Sequence, residues 1–225
     1  MRSISIIRAL EPRFTTNLLL PVQNQIEIIK LDCLPATWLI QFDAIVARPF
    51  VPFLKQHMPS NHEVGLWFEM NEMQCNPTGV KWRGRPGCEW DHIPLVAFTI
   101  GYTEAERIQL ADIAMRTLKD VFGTYPKSIA SWNLDAISIN HIAERHGADA
   151  FAVCRDQIAT DGFTIWGAPI AGYYPSKRNC WSPAIDQKNQ IDAPIFRMLG
   201  QDPVYYYDRS YTLPNGKTIT QPDTL

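Results

Sequence analysis

The segment HEVGLWFEMN, residues 62–71, is the stretch of sequence that decides the fold. Its apolar centre is short and bounded by polar residues, which is typical of a strand buried on both faces of a parallel sheet. Glu69 follows this apolar run at once, and an ionised carboxylate is costly to bury there unless it is paired. The segment therefore predicts a buried strand that delivers a carboxylate to the end of a sheet.

Short apolar runs of the same kind recur along the chain and alternate with helical patterns. Such alternation implies right-handed strand–helix–strand units and a parallel sheet. About seven strands in 225 residues favour a closed barrel over an open sheet. We therefore predict an α/β fold, a (β/α)7-type distorted parallel barrel, in a single domain over residues 1–225. The predicted strands are SISIIRAL (3–10), ATWLIQF (36–42), EVGLWFE (63–69), KSIASWNL (127–134), ADAFAVC (148–154), FTIWGAPIAGYY (163–174) and APIFRML (193–199).

Helix signals between these strands are strongest in two places. Thr103 followed by Glu106 has the sequence pattern of a capping box, and Gly123 is suited to end that helix. The segment AISINHIAERHG, residues 136–147, predicts a second helix that ends at its glycine. Asp135 stands directly before this segment, in the position of an N-cap.

Composition excludes several classes of function. A net charge of -2 leaves no basic surface for nucleic acid, and no apolar run approaches the about 18 residues that a membrane span requires. The first residues lack the pattern of a secretion signal, so we expect a cytoplasmic location. The polar end PNGKTITQPDTL suits a chain that continues beyond residue 225, and the oligomeric state stays open. The 7 Trp and 8 Tyr suit a carbohydrate partner, although each ring could equally fill the core.

An acidic residue follows nearly every predicted strand. In α/β barrels the active site lies at the carboxyl ends of the strands, so these acids are candidates for one ring around the barrel mouth. Asp135 and Asp43 could instead cap the helices that follow them, and Asp156 and Asp161 could be ordinary loop residues. The candidates are Glu11, Asp43, Glu69, Asp135, Asp156 and Asp161.

A long irregular segment, residues 70–94, follows the decisive strand. It is rich in Gly, Trp and Arg, and loops of this length in compact domains are usually functional or disordered. We predict that KWRGRPGCEW, residues 81–90, lies over the barrel mouth and contacts the ligand. The candidate substrate-binding residues are Trp82, Arg83, Arg85 and His92 from this segment, Trp67 and Trp132 from the strands, and Glu11, Asp156 and Asp161.

Three segments together resemble the polysaccharide deacetylase superfamily and its glycoside hydrolase relatives. They are LPATWLIQFD (34–43), HEVGLWFEMN (62–71) and FGTYPKSIASWNLD (122–135), and the resemblance extends over most of the chain. It is nearest to a group of uncharacterised bacterial proteins assigned provisionally as glycoside hydrolases or deacetylases. The resemblance implies a NodB-like (β/α)7 barrel.

The resemblance also implies a departure in chemistry. The two metal-binding histidines of the deacetylases fall on Trp67 and Asn71, and their two first-strand aspartates are represented by Glu11 alone. A zinc site needs about three protein ligands and a water molecule. These positions therefore predict no metal ion, and we expect no other cofactor.

The carboxylates and tryptophans that remain suit a glycoside hydrolase, which needs two carboxylates beside the scissile bond. We therefore predict a metal-independent glycoside hydrolase acting on a carbohydrate substrate, with Glu69 as the acid, Asp135 as nucleophile or base, and Asp43 beside them. Two alternatives stay open. One is a deacetylase whose metal site is rearranged onto Asp43, His92 and Glu69, and the other is a non-catalytic barrel that binds glycans.

Overall fold

The computed structural model describes residues 19–46, 49–85, 93–154 and 172–198. Its centre is a parallel sheet of five strands, in which each strand pairs with the next along the chain. This sequential order is typical of a barrel, whereas a doubly wound sheet reverses direction at a switch point. The strands are β1 (Thr37–Gln41), β2 (Glu63–Trp67), β3 (Ser128–Ser131), β4 (Ala150–Cys154) and β5 (Ile195–Met198).

Helices connect these strands in the described part of the chain. None of the helices in those ranges is long and apolar enough to cross a membrane. The α-helices are α1 (Leu20–Leu31), α2 (Phe42–Val46), α3 (Phe50–His57), α4 (Glu72–Cys75), α5 (Pro94–Ala97), α6 (Glu104–Phe122) and α7 (Ala136–His146), and the 3₁₀ turns are Asn76–Thr78, Thr99–Gly101 and Gln187–Asn189.

The ends of the two helices with the strongest sequence signals confirm the predicted caps. Thr103 and Glu106 form a complete capping box at the start of α6. Asp135 accepts hydrogen bonds from the first turn of α7. Gly123 and Gly147 end these helices with φ angles of 88° and 68°, which glycine adopts without steric cost.

The two faces of the sheet pack differently, because successive side chains of a strand point to opposite sides. On the outer face, side chains such as Trp38 and Leu66 pack against the helices in the main core. The opposite face, which we call the inner face, carries a smaller separate cluster. That cluster consists of Leu39, Trp67 and Ala130, with Trp132 and Ala152 packed against it.

The structure confirms the predicted α/β class and the parallel sheet. Five of the predicted strands are present, each a few residues shorter than the run that predicted it. The extra residues lie before the strand for β4, after it for β2, and on both sides for β1 and β3. The predicted strand 3–10 and most of the predicted strand 163–174 lie outside the described residues, and Tyr173 forms an isolated antiparallel bridge with Ile195.

Candidate functional site

The inner face carries polar residues at the carboxyl end of the sheet. Gln41 ends β1 and pairs in register with Trp67, which ends β2. Glu69 lies two residues beyond Trp67 and points to the same face, because its neighbours Phe68 and Met70 pack into the main core. A carboxylate, an amide and an indole are thus brought together at one edge of the sheet.

Glu69 is buried, with 1% of its surface exposed, and its carboxylate accepts hydrogen bonds from two uncharged donors. The side-chain amide of Gln41 donates to Oε2 at 3.2 Å, and the indole Nε1 of Trp67 donates to the same oxygen at 3.1 Å. Both donors bind the same oxygen, so the carboxyl group can carry a proton on Oε1 while both contacts are kept. The two contacts hold the carboxylate in one orientation on the inner face, as a functional group requires.

Two tryptophans form an aromatic wall beside Glu69. The rings of Trp67 and Trp132 meet edge to face, with centroids 5.8 Å apart and 88° between the ring planes. Trp67 is buried, whereas Trp132 is partly exposed. Trp132 therefore keeps ring surface that a ligand can cover, and apolar surface with a few fixed polar groups is the usual composition of a small-molecule site.

Asp43 lies at the same edge of the sheet, two residues past Gln41. It is buried, and its Oδ1 accepts a hydrogen bond from the backbone N–H of Ala44 at 2.8 Å. It stands in the first turn of α2. The end of β1 thus supplies a second buried carboxylate next to the strand that carries Glu69.

Asp135, in the loop after β3, has a structural role. Its Oδ1 accepts from the backbone N–H groups of Ile137 and Ser138 at 3.0 and 3.1 Å, which makes it the N-cap of α7. Arg107 also donates to Oδ1 at 3.2 Å, and the hydroxyls of Thr99 and Ser138 donate to Oδ2. These five donors fill the about four lone-pair sites of a carboxylate. The capping role is confirmed, and the catalytic role of Asp135 stays a prediction.

Two asparagines after β2 and β3 hold buried polar atoms without a hydrogen-bond partner among the described residues. Asn71 accepts from the N–H of Gln74 through Oδ1 and so caps α4, while its Nδ2 is unpaired. Asn133 has an unpaired Oδ1. Buried polar atoms are nearly always hydrogen-bonded. This donor and this acceptor therefore mark places where we expect water or a polar ligand.

The positions at which the family resemblance places metal-binding histidines do not suit a metal ion. Trp67 uses its N–H as a donor to Glu69, and an indole nitrogen has no lone pair for a metal. Asn71 is engaged as the cap of α4. Zinc takes imidazole, thiolate or carboxylate ligands, so the side chains at these two positions do not fit the metal of the deacetylases.

The described part of the predicted mouth loop ends at Arg85, which is exposed. Trp82 is half-buried and packs against the main core. Arg83 pairs with Glu106 at 2.7 Å and lies over the ring of Tyr102, 4.4 Å from its centroid. Trp82 and Arg83 thus have partners in the helix layer, and the substrate contacts of these loop residues stay predictions.

The structure brings three predicted site residues together, Glu69, Trp67 and Trp132. It adds Gln41, which had no predicted role because an amide at the end of an apolar run carries no signal of its own. The predicted site residues outside the described ranges are Glu11, His92, Asp156 and Asp161, and their roles stay predictions.

A second group of ionisable residues lies between two helices and was not predicted. Asp112 on α6 and His141 and His146 on α7 place their ligand atoms within 4.8 Å of one another. Arg116 donates to Asp112 Oδ2 at 2.7 Å. Burial acts to raise the pKa of Asp112, but the hydrogen bonds with both histidines outweigh it, so this pKa lies below its usual value. The group combines an ionised carboxylate with two imidazoles, which are metal-ligand types.

Comparison with known proteins identifies the fold. No family model and no curated protein matches the chain. A structure from Parabacteroides distasonis, assigned provisionally as a glycoside hydrolase/deacetylase, aligns with a TM-score of 0.54 at 14% identity and covers 86% of this chain and 44% of that chain. A structure from Mycobacterium smegmatis, assigned provisionally as a polysaccharide deacetylase, aligns with a TM-score of 0.51 at 11% identity and covers 96% of this chain and 64% of that chain.

The chain therefore spans 44% and 64% of the lengths of these two structures. Similarity at such low identity establishes the fold and not the activity. The predicted NodB-like fold, that of the polysaccharide deacetylases, is confirmed.

Proposed function

We propose that the protein is a carbohydrate-active hydrolase, specifically a metal-independent glycoside hydrolase with Glu69 as its general acid. The observation that carries the proposal is the environment of Glu69, a buried carboxylate on the inner face held by Gln41 at 3.2 Å and Trp67 at 3.1 Å. The general acid of a glycosidase is a carboxyl group shielded from bulk water beside the bond that it protonates. The fold shared with provisionally assigned glycoside hydrolases and deacetylases supports carbohydrate as the substrate class.

Glycoside hydrolysis needs a second carboxylate, and Asp43 suits this role better than Asp135. Asp43 follows β1, the neighbour of the strand that carries Glu69, and Gln41 just before it donates to Glu69. The oxygens of Asp135 already accept from five donors. Asp135 therefore has no lone pair left to activate water or to attack a sugar. We assign Asp43 as nucleophile or base and Asp135 as a support of the loop after β3.

The proposed reaction uses these groups in separate roles. Glu69 protonates the leaving glycosidic oxygen, and Asp43 either activates a water molecule that attacks the anomeric carbon or attacks that carbon itself. In the second case, water activated by the Glu69 carboxylate then hydrolyses the glycosyl–Asp43 ester. The sugar ring lies against the exposed part of Trp132, because sugar C–H faces pack well on aromatic rings. A carboxyl separation of about 5 Å would give retention of configuration, and one of roughly 6.5–9.5 Å would give inversion.

The proposal is tested by comparing Glu69→Gln with Glu63→Gln on a panel of glycosides. Glu63 is a matched control because it begins β2 on the same face, at the opposite end, where its Oε1 accepts from Thr37 and Ser128. We expect the parent and Glu63→Gln to cleave the same glycosides. Glu69→Gln should lose turnover by about 100-fold or more while keeping its circular dichroism spectrum. The proposal is wrong if the parent cleaves no glycoside, or if Glu69→Gln cleaves as fast as the parent.

The alternatives give different results when acetylated sugars are added to the panel. Release of acetate that stops on treatment with a chelator would favour the deacetylase with Asp43, His92 and Glu69 as metal ligands. Binding of sugars without cleavage of any bond would favour the non-catalytic glycan-binding barrel. Either result would replace the glycoside hydrolase proposal.

A further inference from the structure

A separate site lies in the helix layer, away from the inner face. Asp112 on α6 and His141 and His146 on α7 bring one carboxylate oxygen and two imidazole nitrogens within 4.8 Å of one another. Imidazole and carboxylate are ligands of zinc and of related divalent transition ions. We propose that these three residues bind a divalent transition-metal ion of the zinc class, with a fourth position open to water.

The three ligand atoms already lie close together. The Nε2 atoms of His141 and His146 each lie 2.7 Å from Oδ1 of Asp112. Around a tetrahedral zinc ion with bonds of about 2.0–2.2 Å, ligand atoms lie roughly 3.3 Å apart. Each nitrogen therefore has to move from the oxygen by about half an ångström. The two nitrogens, which lie within 4.8 Å of each other, have to approach to the same spacing.

Neighbouring side chains hold the ligands in position. Arg116 donates to Oδ2 of Asp112 at 2.7 Å, so the carboxylate turns Oδ1 towards the histidines. The ring of Tyr125 lies edge-on to that of His146, with centroids 4.9 Å apart. Partners that orient metal ligands in this way raise metal affinity. All three ligands also stand on helices, which hold a site more rigidly than loops do.

The site is accessible from the surface. His141 is 21% exposed and lines an open groove between α6 and α7. The polar side chains of Glu104, Asn140 and Glu144 also line this groove. Lys177 lines the groove as well, and it pairs with Glu144 at 2.9 Å. A hydrated cation can reach His141 from this groove.

Zinc titration of the chelator-treated full chain tests the proposal. His57→Ala is the matched control, because His57 is an exposed histidine at the end of α3. We expect the parent and His57→Ala to bind about one zinc ion per chain and to melt at a higher temperature when zinc is added. His141→Ala and Asp112→Asn should bind zinc at least about tenfold more weakly, and zinc should no longer raise their melting temperatures.

Three results would overturn the proposal. The first is a parent that binds no zinc in the titration, and the second is folded His141→Ala and Asp112→Asn variants that bind it as the parent does. The third is zinc binding that is lost in Glu69→Gln and kept in His141→Ala, which would assign the ion to the carboxyl edge of the sheet. Because the readouts are binding and melting temperature, they do not depend on whether Glu69 is a catalytic acid.

Discussion

The ends of β2 and β3 are neighbours in the sheet, but they hold their carboxylates in different ways. After β2, Glu69 accepts from the side chains of Gln41 and Trp67 on the inner face. After β3, Asp135 accepts from two backbone N–H groups, two hydroxyls and the guanidinium of Arg107. Glu69 lies on the same face as Trp67 and the partly exposed Trp132. Asp135 instead links the first turn of α7 to Thr99 and Arg107.

This difference shows that a position at the end of a strand does not by itself define a catalytic carboxylate. A carboxylate whose lone pairs are all engaged stabilises the fold and has no lone pair left for water or substrate. The kind of donors therefore distinguishes the two acids, which look alike in sequence. In the proposed function, Asp43 is the second catalytic carboxylate.

The largest expected effect is on turnover, when Asp43→Asn is compared with Asp135→Asn. We expect Asp43→Asn to lower kcat by about 100-fold or more, because it removes the nucleophile or base. Asp135→Asn should keep most of the kcat of the parent, since its amide oxygen still caps α7. The kcat of each variant should be measured at a temperature below the melting temperatures of both, so that both are folded. Loss of turnover in Asp135→Asn alone would restore the pair Glu69 and Asp135 that the sequence predicted.

The next-largest effect is on stability. Here we expect the substitution after β3 to have the larger effect and the substitution after β2 the smaller one. Asp135→Ala should lower the free energy of unfolding by about 3 kcal/mol, because it removes a helix cap and the acceptor of the Thr99 hydroxyl and of one Arg107 N–H group. Glu69→Gln keeps a hydrogen-bonding side chain of the same size and should cost less than about 1.5 kcal/mol. Urea unfolding of the two variants measures both values. Equal losses would show that the two carboxylates support the fold alike.

Substitutions of two tryptophans, one on the inner face and one on the main core, should have smaller effects on sugar binding and stability. Trp132→Ala, on the inner face, should weaken binding of a cleaved sugar roughly tenfold. It should also lower stability, because Trp132 packs on Trp67 and Phe98. Trp82→Ala should lower stability by about 2 kcal/mol and leave binding unchanged, because Trp82 packs on the main core. Sugar titrations and thermal melts distinguish the two. Weaker binding in Trp82→Ala with an unchanged melting temperature would support the substrate contact predicted from the sequence.

The smallest effect is a pH dependence of stability that comes from His62. Its Nε2 lies 3.0 Å from the carbonyl of Leu34 and its Nδ1 accepts from the indole of Trp38 at 3.1 Å, which defines a neutral imidazole. Burial lowers the pKa of His62 below 6.5, and Lys30 acts in the same direction, against the raising effect of the Leu34 hydrogen bond. The unfolded chain therefore binds a proton near pH 6.5, while the folded chain does so only at lower pH.

It follows that the stability due to this pKa difference is fully present above pH 6.5 and is lost as the pH falls below it. His62→Gln, which keeps a donor and an acceptor, should remove this part of the pH dependence. Urea unfolding at about pH 7.5 and about pH 5.5 checks it in parent and variant. An equal loss of stability in both proteins would assign the pH dependence to other groups.

The fold could be predicted because its signals are local. The apolar run before Glu69 is too short and too continuous for anything but a buried strand, and the pair Thr103 and Glu106 marks a helix start wherever it stands. The inner-face direction of Glu69 follows from strand alternation once β2 is identified. These features depend on neighbouring residues and so are visible in the sequence.

The rest depends on contacts between distant segments. Nothing near Asp135 in sequence shows that Arg107 and Thr99 donate to it, since they are 28 and 36 residues away. Likewise, Asp112 meets its two histidines across 29 and 34 residues. Helical periodicity places each of these residues on a face, but it does not say which faces meet. The roles of Asp135 and of the helix-layer group therefore required the structure.

The central claim is that a sugar binds on the inner face and that Glu69 protonates its glycosidic oxygen. A crystal structure tests this claim most directly. The Glu69→Gln variant should be soaked with a glycoside that the parent cleaves, so that the uncleaved substrate accumulates. We predict a sugar ring against Trp132 and a glycosidic oxygen about 2.6–3.2 Å from the side chain at position 69. A sugar bound away from the inner face, with no atom within hydrogen-bond distance of that side chain, would contradict the claim.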